Sequence, residues 1–223
     1  MKAKGGGLTD NTQRLRRARI AREGLPFIVT PLVLGVVVFA LGWQIVGGVL
    51  LLLGLFCLAF FRDPDRSIPE DPRLLVAPAD GTVTAVEQTE QGLRISIFLS
   101  VFNVHVNRSP VAGKVVQVKY HPGRFLAANF EKSSKENERN TLLLETAGGE
   151  VRVVQIAGII ARRIVCRVQS GDQLGRGERF GLIRFGSRTE LYTPPGVEPL
   201  VGLGSRVRGG STPLARWPAV RDA

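Results

Sequence analysis

Hydrophobic and polar residues divide the chain into one long apolar stretch near the N-terminus and a series of short alternating runs beyond it. No charged residue occurs from Gly24 to Phe61. One helix needs about 20 residues to cross a bilayer, so this stretch is close to twice the length of a single span. Gly42-Trp43-Gln44 offers a bend near its middle. The pattern predicts a membrane-associated helical hairpin over residues 24–61, with one long tilted helix or a re-entrant hairpin as alternatives.

Arginines flank this stretch on both sides. Residues 1–23 carry a cluster of them, and Arg62 and Arg66 follow the stretch directly. Because positively charged flanks stay on the cytoplasmic side, both ends of the hairpin are predicted to lie in the cytoplasm. The sequence therefore predicts a basic cytoplasmic N-terminus and a location at the cytoplasmic (inner) membrane, with the rest of the chain facing the cytoplasm. The stretch is too long for a cleavable signal peptide and lacks a small-residue cleavage site.

Residues 62–73 contain prolines and alternating charges, which is typical of an irregular linker. Beyond it, residues 74–216 form short runs rich in Val, Ile, Leu and Thr, separated by Gly, Pro, Asn and Asp. Ala147-Gly148-Gly149 is the clearest hairpin turn. The prediction is a mainly β protein, with one compact antiparallel domain whose Gly-centred turns are like those of lipoyl-carrier sandwiches. Those turns lack the lysine that such carriers modify, so a carrier function is not indicated.

Charge and cysteine content narrow the set of partners. The net charge of +11 favours an anionic partner, either nucleic acid or a negatively charged lipid surface. Basic and aromatic residues do not interleave as they do in stacking surfaces for nucleic acid, and the apolar hairpin favours lipid. Cys57 and Cys166 have no metal-ligand spacing, so we expect neither a metal site nor a disulfide framework.

The candidate chemistry centres on the bond between Gly186 and Ser187, within the stretch Gly177–Arg188. Glycine tolerates backbone angles that let a neighbouring hydroxyl approach the preceding carbonyl closely. Ser187 is therefore a candidate nucleophile against its own backbone. A β-turn between two strands is the alternative interpretation of the same residues.

Two further residues complete a chemically coherent set with Ser187. His105 is one of two histidines and lies in a strand-like stretch, where it would share a face with Asn103 and Asn107. Asp80 belongs to an Asp-Gly pair that is typical of turns. Alone, each of the two favours a structural role. If they converge with Ser187, the imidazole can take the hydroxyl proton and the carboxylate can fix the imidazole tautomer.

Five sequence blocks follow one another in order along the predicted β domain: Ala77–Gly81, Phe102–Arg108, Tyr120–Phe125, Glu136–Asn140 and Arg179–Ser187. Together they resemble the phosphatidylserine decarboxylase proenzymes in their shorter bacterial and archaeal form, and the apolar hairpin fits that family. The sequence has Phe185-Gly186-Ser187 where the longer bacterial enzymes have Leu-Gly-Ser-Thr. This difference changes the packing around the bond and leaves the chemistry in place.

The resemblance implies self-cleavage between Gly186 and Ser187 into a β chain, residues 1–186, and an α chain, residues 187–223, which stay together as a heterodimer. Residue 187 would become a covalent, self-made pyruvoyl group, with no metal and no external cofactor. That group would form a Schiff base with the amine of phosphatidylserine in the membrane. CO2 would then leave to give phosphatidylethanolamine, a step of phospholipid biosynthesis.

The resemblance also suggests roles for individual residues. His105, oriented by Asp80, would be the base for cleavage and then a proton donor in decarboxylation, while His121, Asn140 and Arg139 are candidates for the substrate pocket. The alternatives are an archaetidylserine decarboxylase with the same chemistry, a membrane-anchored serine hydrolase, and a tethered β module without activity. A hydrolase of this kind would need a G-x-S-x-G elbow, which the residues around Ser187 do not supply.

Overall fold

The structure, a computed structural model, describes residues 19–124, 136–158, 163–184 and 186–218. Most of the predicted basic N-terminus, residues 1–18, therefore lies outside the described residues, as does Phe185. The chain divides into two compact units, Met1–Asp65 and Arg66–Ala223.

Two apolar helices dominate the first unit, α1 (Leu25–Ala40) and α2 (Gln44–Phe60), preceded by a 3-10 turn at Arg22–Gly24. The chain reverses between them at Gly42, whose φ of +90° suits a residue without Cβ. By length and composition, the stretch Arg22–Ala40 is sufficient to cross a membrane, while α2 is slightly shorter. The predicted helical hairpin is confirmed, and the alternative of one long helix is not what the chain forms.

Small residues let the two helices approach each other closely. A Cβ added at Gly47 would lie 2.6 Å from the backbone nitrogen of Phe39, and one at Gly54 would lie 2.5 Å from the Leu32 side chain. Most of the large apolar side chains on the other faces of the two helices are exposed. Close small-residue contacts combined with an apolar outer surface are typical of helices that pack within lipid.

The two ends of the hairpin meet. Ile20 and Arg62 form an antiparallel bridge, and the Ala21 amide donates to the Phe61 carbonyl at 2.8 Å. The N-terminal end of α1 and the C-terminal end of α2 therefore lie side by side at the same end of the hairpin.

The second unit is built of antiparallel strands. In its described part, three sheets are present, with strand orders β13-β2-β3-β11-β7-β6-β5-β9, β4-β10-β8 and β1-β14-β12. The strands are β1 (Leu74–Val76), β2 (Gly81–Thr89), β3 (Gly92–Leu99), β4 (Val106–Arg108), β5 (Gly113–His121), β6 (Arg139–Thr146), β7 (Gly149–Ile156), β8 (Ile164–Cys166), β9 (Gln173–Leu174), β10 (Arg179–Ile183), β11 (Ser187–Thr193), β12 (Glu198–Pro199), β13 (Arg206–Val207) and β14 (Pro213–Arg216). The predicted mainly β, antiparallel class is confirmed.

The predicted turn at residues 147–149 is also confirmed. Thr146 pairs with Gly149 at the closed end of the β6–β7 hairpin, and the φ of Gly149 is +114°. The runs from which strands were predicted do not include β10 and β11, although the β-turn alternative for Gly186-Ser187 implied a strand on each side of that bond.

Apolar side chains from one face of the large sheet form the core. Ile97, Leu142, Val153 and Leu191 are fully buried there, together with residues from β1 and β14. β11 runs through the middle of this sheet, paired with β3 on one side and β7 on the other. Ser187, its first residue, pairs with Leu99, so the candidate nucleophile begins the central strand of the domain.

Candidate functional site

Ser187 is fully buried at the start of β11. Its hydroxyl has no hydrogen-bond partner among the described residues. A buried hydroxyl left unsatisfied costs about 1–3 kcal/mol, and such groups in native structures call for a specific explanation. Folding has placed a polar atom where stability alone does not favour it.

Gly186 connects two different sheets. The strand before it, β10, pairs with β4 and β8, whereas β11 lies in the eight-stranded sheet. Gly186 has a φ of +62°, and a Cβ placed there would meet no atom within 4 Å. Gly186 thus lies between two strands, as the β-turn alternative implied, but those strands are not paired with each other. There is open space beside the Gly186 backbone.

His105 lies against this connection. Its ring is almost completely buried, and its Nε2 accepts a hydrogen bond from the Gly186 amide at 3.3 Å. Its Nδ1 lies 2.9 Å from the carbonyl oxygen of Asn103. A carbonyl can only accept, so these partners assign the proton to Nδ1 and the lone pair to Nε2. The basic nitrogen of His105 therefore points at the residue before Ser187.

A short turn holds the His105 ring in place. The Asn103 side chain accepts hydrogen bonds from the Ser100 amide at 2.9 Å and from the Ser100 hydroxyl at 2.8 Å. The Ile183 amide donates to the His105 carbonyl at 3.2 Å. These contacts fix His105 with respect to both the turn before it and the end of β10.

Asp80 makes different contacts. Its carboxylate oxygens accept hydrogen bonds from Nη2 of Arg66, Oδ1 at 3.0 Å and Oδ2 at 2.8 Å. Oδ1 also accepts the amide of Gly209 at 2.8 Å. Both side chains of this ion pair are mostly buried. The structure thus brings His105 to the amide of Gly186, whereas the hydrogen bonds of the Asp80 carboxylate go to Arg66 and Gly209. Orientation of His105 by Asp80 stays a prediction.

A chain of neutral polar side chains connects the face of the large sheet that carries Ser187 with Asn107 of β4. Asn140 donates to Gln155 at 3.0 Å, Gln155 donates to Asn107 at 2.8 Å, and Asn107 donates to Thr189 at 3.4 Å. All four residues are buried. Of these, Asn140 was predicted as a site residue, and the position of Asn107 on the same face as His105 was a signal that could have identified the network.

The opposite face of β11 carries charge. The buried Glu190 carboxylate accepts hydrogen bonds from the Arg94 guanidinium at 2.8 Å, the Tyr192 hydroxyl at 2.8 Å and the Ser96 hydroxyl at 3.1 Å. The Arg188 guanidinium lies 3.7 Å from the same carboxylate. The pKa of the Tyr192 hydroxyl is raised to about 12, mainly because the side chain is partly buried and also because the Glu190 carboxylate is close. Sequence reasoning missed this cluster, which we call the Glu190 centre.

The other two predicted pocket residues also lie on this outer face. His121 and Arg139 are cross-strand partners and line a cleft of about 540 Å³. Loss of solvation, followed by the positive charges of Arg139 and Lys119, lowers the pKa of His121. The structure therefore separates the three predicted pocket residues, with Asn140 on the inner face and the other two on the outer.

Within the part of the chain that the structure describes, no group of three or more His, Cys, Asp or Glu side chains could hold a metal ion. The site has a buried serine with an unsatisfied hydroxyl after a glycine that has open space beside its backbone, and an imidazole nitrogen accepts the amide of that glycine. These residues fit a group made from the serine itself.

Comparisons with known proteins agree on one family. A family model described as phosphatidylserine decarboxylase matches residues 53–215. A phosphatidylserine decarboxylase proenzyme of Burkholderia ambifaria strain MC40-6 is 48% identical over 203 residues, which cover 88% of this chain and 95% of the relative. Proenzymes of Ruegeria pomeroyi and Beijerinckia indica are 47% and 50% identical, each over 86% of this chain and over 93% and 87% of their own lengths.

Proposed function

The chain belongs to the phosphatidylserine decarboxylase family and is an enzyme of that kind; from that premise we propose that it cuts its own backbone between Gly186 and Ser187 to make its reactive group. The observation that carries the proposal is the buried, unsatisfied hydroxyl of Ser187 beside a glycine whose amide bonds His105.

Cleavage begins with an attack by the Ser187 hydroxyl on the Gly186 carbonyl. Nε2 of His105 takes the hydroxyl proton. The peptide C–N bond breaks and the nitrogen of residue 187 gains a proton, which leaves an ester. A base then removes the Cα proton of residue 187, and the Gly186 carboxylate departs as a new chain end. Water replaces the remaining nitrogen, ammonia leaves, and residue 187 is left as a pyruvoyl cap.

The pyruvoyl group supplies an electron-withdrawing carbonyl that accepts the electrons released when a carboxylate is lost as CO2. The residues of the chain supply the rest of the site. Burial of residue 187 limits the access of bulk water to it. His105, no longer needed for cleavage, returns a proton through Nε2 to the substrate carbon that has lost CO2. The neutral amide chain ending at Thr189 holds the adjoining part of β11 without adding a charge to the interior.

The substrate of the proposed reaction is phosphatidylserine in the membrane, and the product is phosphatidylethanolamine. Burial of a diacyl lipid stabilises it in the bilayer by about 0.8 kcal/mol per CH2. An enzyme that binds the head group at the membrane interface does not have to extract the acyl chains. The exposed apolar hairpin supports attachment there. We place the enzyme at the inner membrane with the β unit in the cytoplasm, as a pair of chains covering residues 1–186 and 187–223.

Mass spectrometry of the purified protein tests the proposal. Two chains are expected, and the smaller, residues 187–223, should carry a pyruvoyl group in place of a free amino terminus. Ser187→Ala should remain a single chain, whereas Ser170→Ala, which changes an exposed serine on another turn, should be cut normally. An uncut parent chain with an ordinary serine at 187 would contradict the proposal and would favour a serine hydrolase or an inactive module.

A second measurement separates the decarboxylase from its close variant. Both phosphatidylserine and archaetidylserine decarboxylation would follow the same cleavage, so the cut chain is supplied with each lipid in vesicles and CO2 release is followed. Faster turnover of the diacyl lipid is expected, since the relatives named above are phosphatidylserine decarboxylase proenzymes. Turnover of the isoprenoid lipid alone would assign the chain to the variant reaction.

A further inference from the structure

Asn107 lies two residues after His105 and, like His105, is buried. Its side chain makes hydrogen bonds in two directions. Oδ1 accepts Nε2 of Gln155 at 2.8 Å, and Nδ2 donates to the Thr189 hydroxyl at 3.4 Å. The strand that contains Asn107, β4, pairs with β10 in a different sheet, whereas Gln155 and Thr189 belong to the eight-stranded sheet. The Asn107 side chain therefore joins the strand that follows His105 to the sheet that contains Ser187.

Strand register determines where these two partners lie. Gln155 of β7 is the direct cross-strand partner of Thr189 in β11, and Asn140 of β6 is the direct partner of Gln155 on its other side. Directly opposite residues share one face of a sheet and lie close together. Asn107 thus bonds two neighbouring members of one row, so its position is fixed along the strands by the row and across them by the two bonds.

A glycine leaves room for this link. Gly181 of β10 is the strand partner of Asn107. A Cβ at Gly181 would lie 3.1 Å from Nε2 of Gln155 and 2.2 Å from the carbonyl oxygen of Val165. A side chain at this position would therefore occupy the space through which the Gln155 amide reaches Asn107, and the absence of one lets the two sheets approach each other here.

His105 lies between two attachments to the large sheet. On its N-terminal side, the turn Ser100–Asn103 follows Leu99, the last residue of β3 and the strand partner of Ser187. On its C-terminal side, the attachment is the Asn107 side chain. With the first attachment alone, the segment could pivot about the end of β3, and Nε2 would move relative to the start of β11. A general base acts only within hydrogen-bond reach of its proton, and a displacement of about 1 Å can cost a hundredfold in rate.

We propose that Asn107 is a positioning residue, whose bonds to Gln155 and Thr189 hold Nε2 of His105 against the start of β11. The role assigned to His105 rests on the proposed function. Thr189 belongs to the smaller chain, residues 187–223, whereas Asn107 and Gln155 belong to the larger one. The link therefore crosses the proposed cut, and it holds His105 beside residue 187 both before cleavage and in the cut enzyme.

Nitrogen NMR of the imidazole rings tests the link directly. The chain has two histidines, so ¹⁵N-histidine labelling of the uncut Ser187→Ala protein gives signals from His105 and His121 alone. Adding Asn107→Leu should move the Nε2 resonance of His105 toward that of free neutral imidazole, because the bond from the Gly186 amide is lost. Thr189→Val removes one of the two bonds and should move it less, in the same direction. The His121 signals should stay in place, and an unmoved Nε2 resonance in Asn107→Leu would overturn the proposal.

Self-cleavage rates, followed by pulse labelling during cell-free synthesis, test the consequence. Asn107→Leu should slow cleavage about tenfold or more, Thr189→Val should slow it by less, and Thr189→Ser, which keeps the hydroxyl, should restore the parent rate. Ser109→Ala is the matched control: Ser109 is buried, and its hydroxyl donates to the Val111 carbonyl at 2.7 Å, a bond that stays within its own segment. Ser109→Ala should leave the rate and the His105 signals unchanged. Equal slowing by Ser109→Ala and Asn107→Leu would reduce Asn107 to a general packing role and overturn the proposal.

Turnover by the cut enzyme provides a further test. Asn107→Leu, once cut, should show a lower kcat for phosphatidylserine in vesicles and an unchanged KM, because Asn107 acts on the imidazole and not on the lipid. A raised KM at unchanged kcat would make Asn107 a substrate-binding residue and overturn the positioning role.

The NMR measurement keeps this proposal separate from the proposed function, since it does not require cleavage. An uncut parent chain would refute the self-made group, and the His105 signals would still report on Asn107. Conversely, a cut and active parent enzyme whose Asn107→Leu variant keeps the same Nε2 resonance and the same cleavage rate would retain the proposed function and lose the positioning role.

Discussion

Replacement of Glu190 by alanine is expected to destabilise the β unit and to slow self-cleavage. Glu190 lies three positions after Ser187 in β11, and its carboxylate is buried under donors from Arg94, Ser96 and Tyr192. Since Ser187 is the first residue of the same strand, loss of the Glu190 centre loosens the segment that must present the hydroxyl to the Gly186 carbonyl.

The size of the effect follows from the partners left behind. Removal of one member of a buried ion pair costs about 3–5 kcal/mol, because the remaining charge loses its compensation. Arg94 keeps a second carboxylate, that of Glu87 at 2.9 Å, so we expect about 3 kcal/mol for Glu190→Ala. Glu190→Gln keeps one acceptor oxygen and should cost about 1.5–3 kcal/mol. Either loss is a large fraction of the 5–15 kcal/mol that is typical of a folded domain.

The stability assay uses chains that also carry Ser187→Ala, so that each remains a single polypeptide. Urea unfolding in detergent is followed by the circular dichroism of the β-sheet. Glu150→Ala, which removes an exposed carboxylate from the same cleft, is the matched control and should change stability by less than about 0.5 kcal/mol. A loss below about 1 kcal/mol for Glu190→Ala would refute the reasoning that its buried contacts stabilise β11.

Three further predictions concern the site and its surroundings. Gly186→Ala should slow self-cleavage about tenfold, because a side chain at a φ of +62° costs about 1–2 kcal/mol. Cleavage is followed on denaturing gels, and an unchanged rate would show that this backbone conformation is not needed. Asp80→Asn should slow self-cleavage by about tenfold or more, and Arg66→Gln should slow it by less. Equal effects of the two variants would mean that Asp80 acts through Arg66 rather than on His105. The pKa of Tyr192 is raised to about 12 in the folded protein, against about 10 in the unfolded chain, so Tyr192 stabilises the fold below pH 10 and this contribution is lost as the pH rises from 10 to 12. Tyr192→Phe should therefore make the urea midpoint fall less steeply between pH 10 and pH 12. An identical slope in the variant would contradict the raised pKa of Tyr192.

The parts of the fold that sequence predicted are those with a local signal. The uncharged stretch predicted the helical hairpin, and alternating apolar residues predicted strands such as β3 and β7. β11 was not among the predicted runs because its sequence, Ser-Arg-Thr-Glu-Leu-Tyr-Thr, contains only one aliphatic residue, Leu191. In the fold it is nevertheless buried between two strands, since Thr189 joins the amide chain and Glu190 joins the charged centre.

The same distinction applies to the site. Chemical reasoning about a hydroxyl and an imidazole placed Ser187 with His105, and the structure brings His105 to the preceding residue. No local pattern marks Glu190 or Gln155, whose partners lie far away in sequence and are set by strand register. The partners of the Asp80 carboxylate, Arg66 and the amide of Gly209, are likewise distant in sequence, so no local pattern marks them.

The position of the proposed cut within the sheets explains how the protein can break its backbone and remain folded. Residues 187–223 supply β11 between β3 and β7, β13 beside β2, and β14 beside β1. The smaller chain is thus hydrogen-bonded to the larger at three separate places, and one of them is the centre of the main sheet. Gly186 itself belongs to no strand and joins two different sheets. Cleavage there breaks the bond that enters β11 rather than one within it. Residues from Arg188 onward keep their partners in β3 and β7, so the new chain end can become a reactive carbonyl while the rest of the strand stays in register.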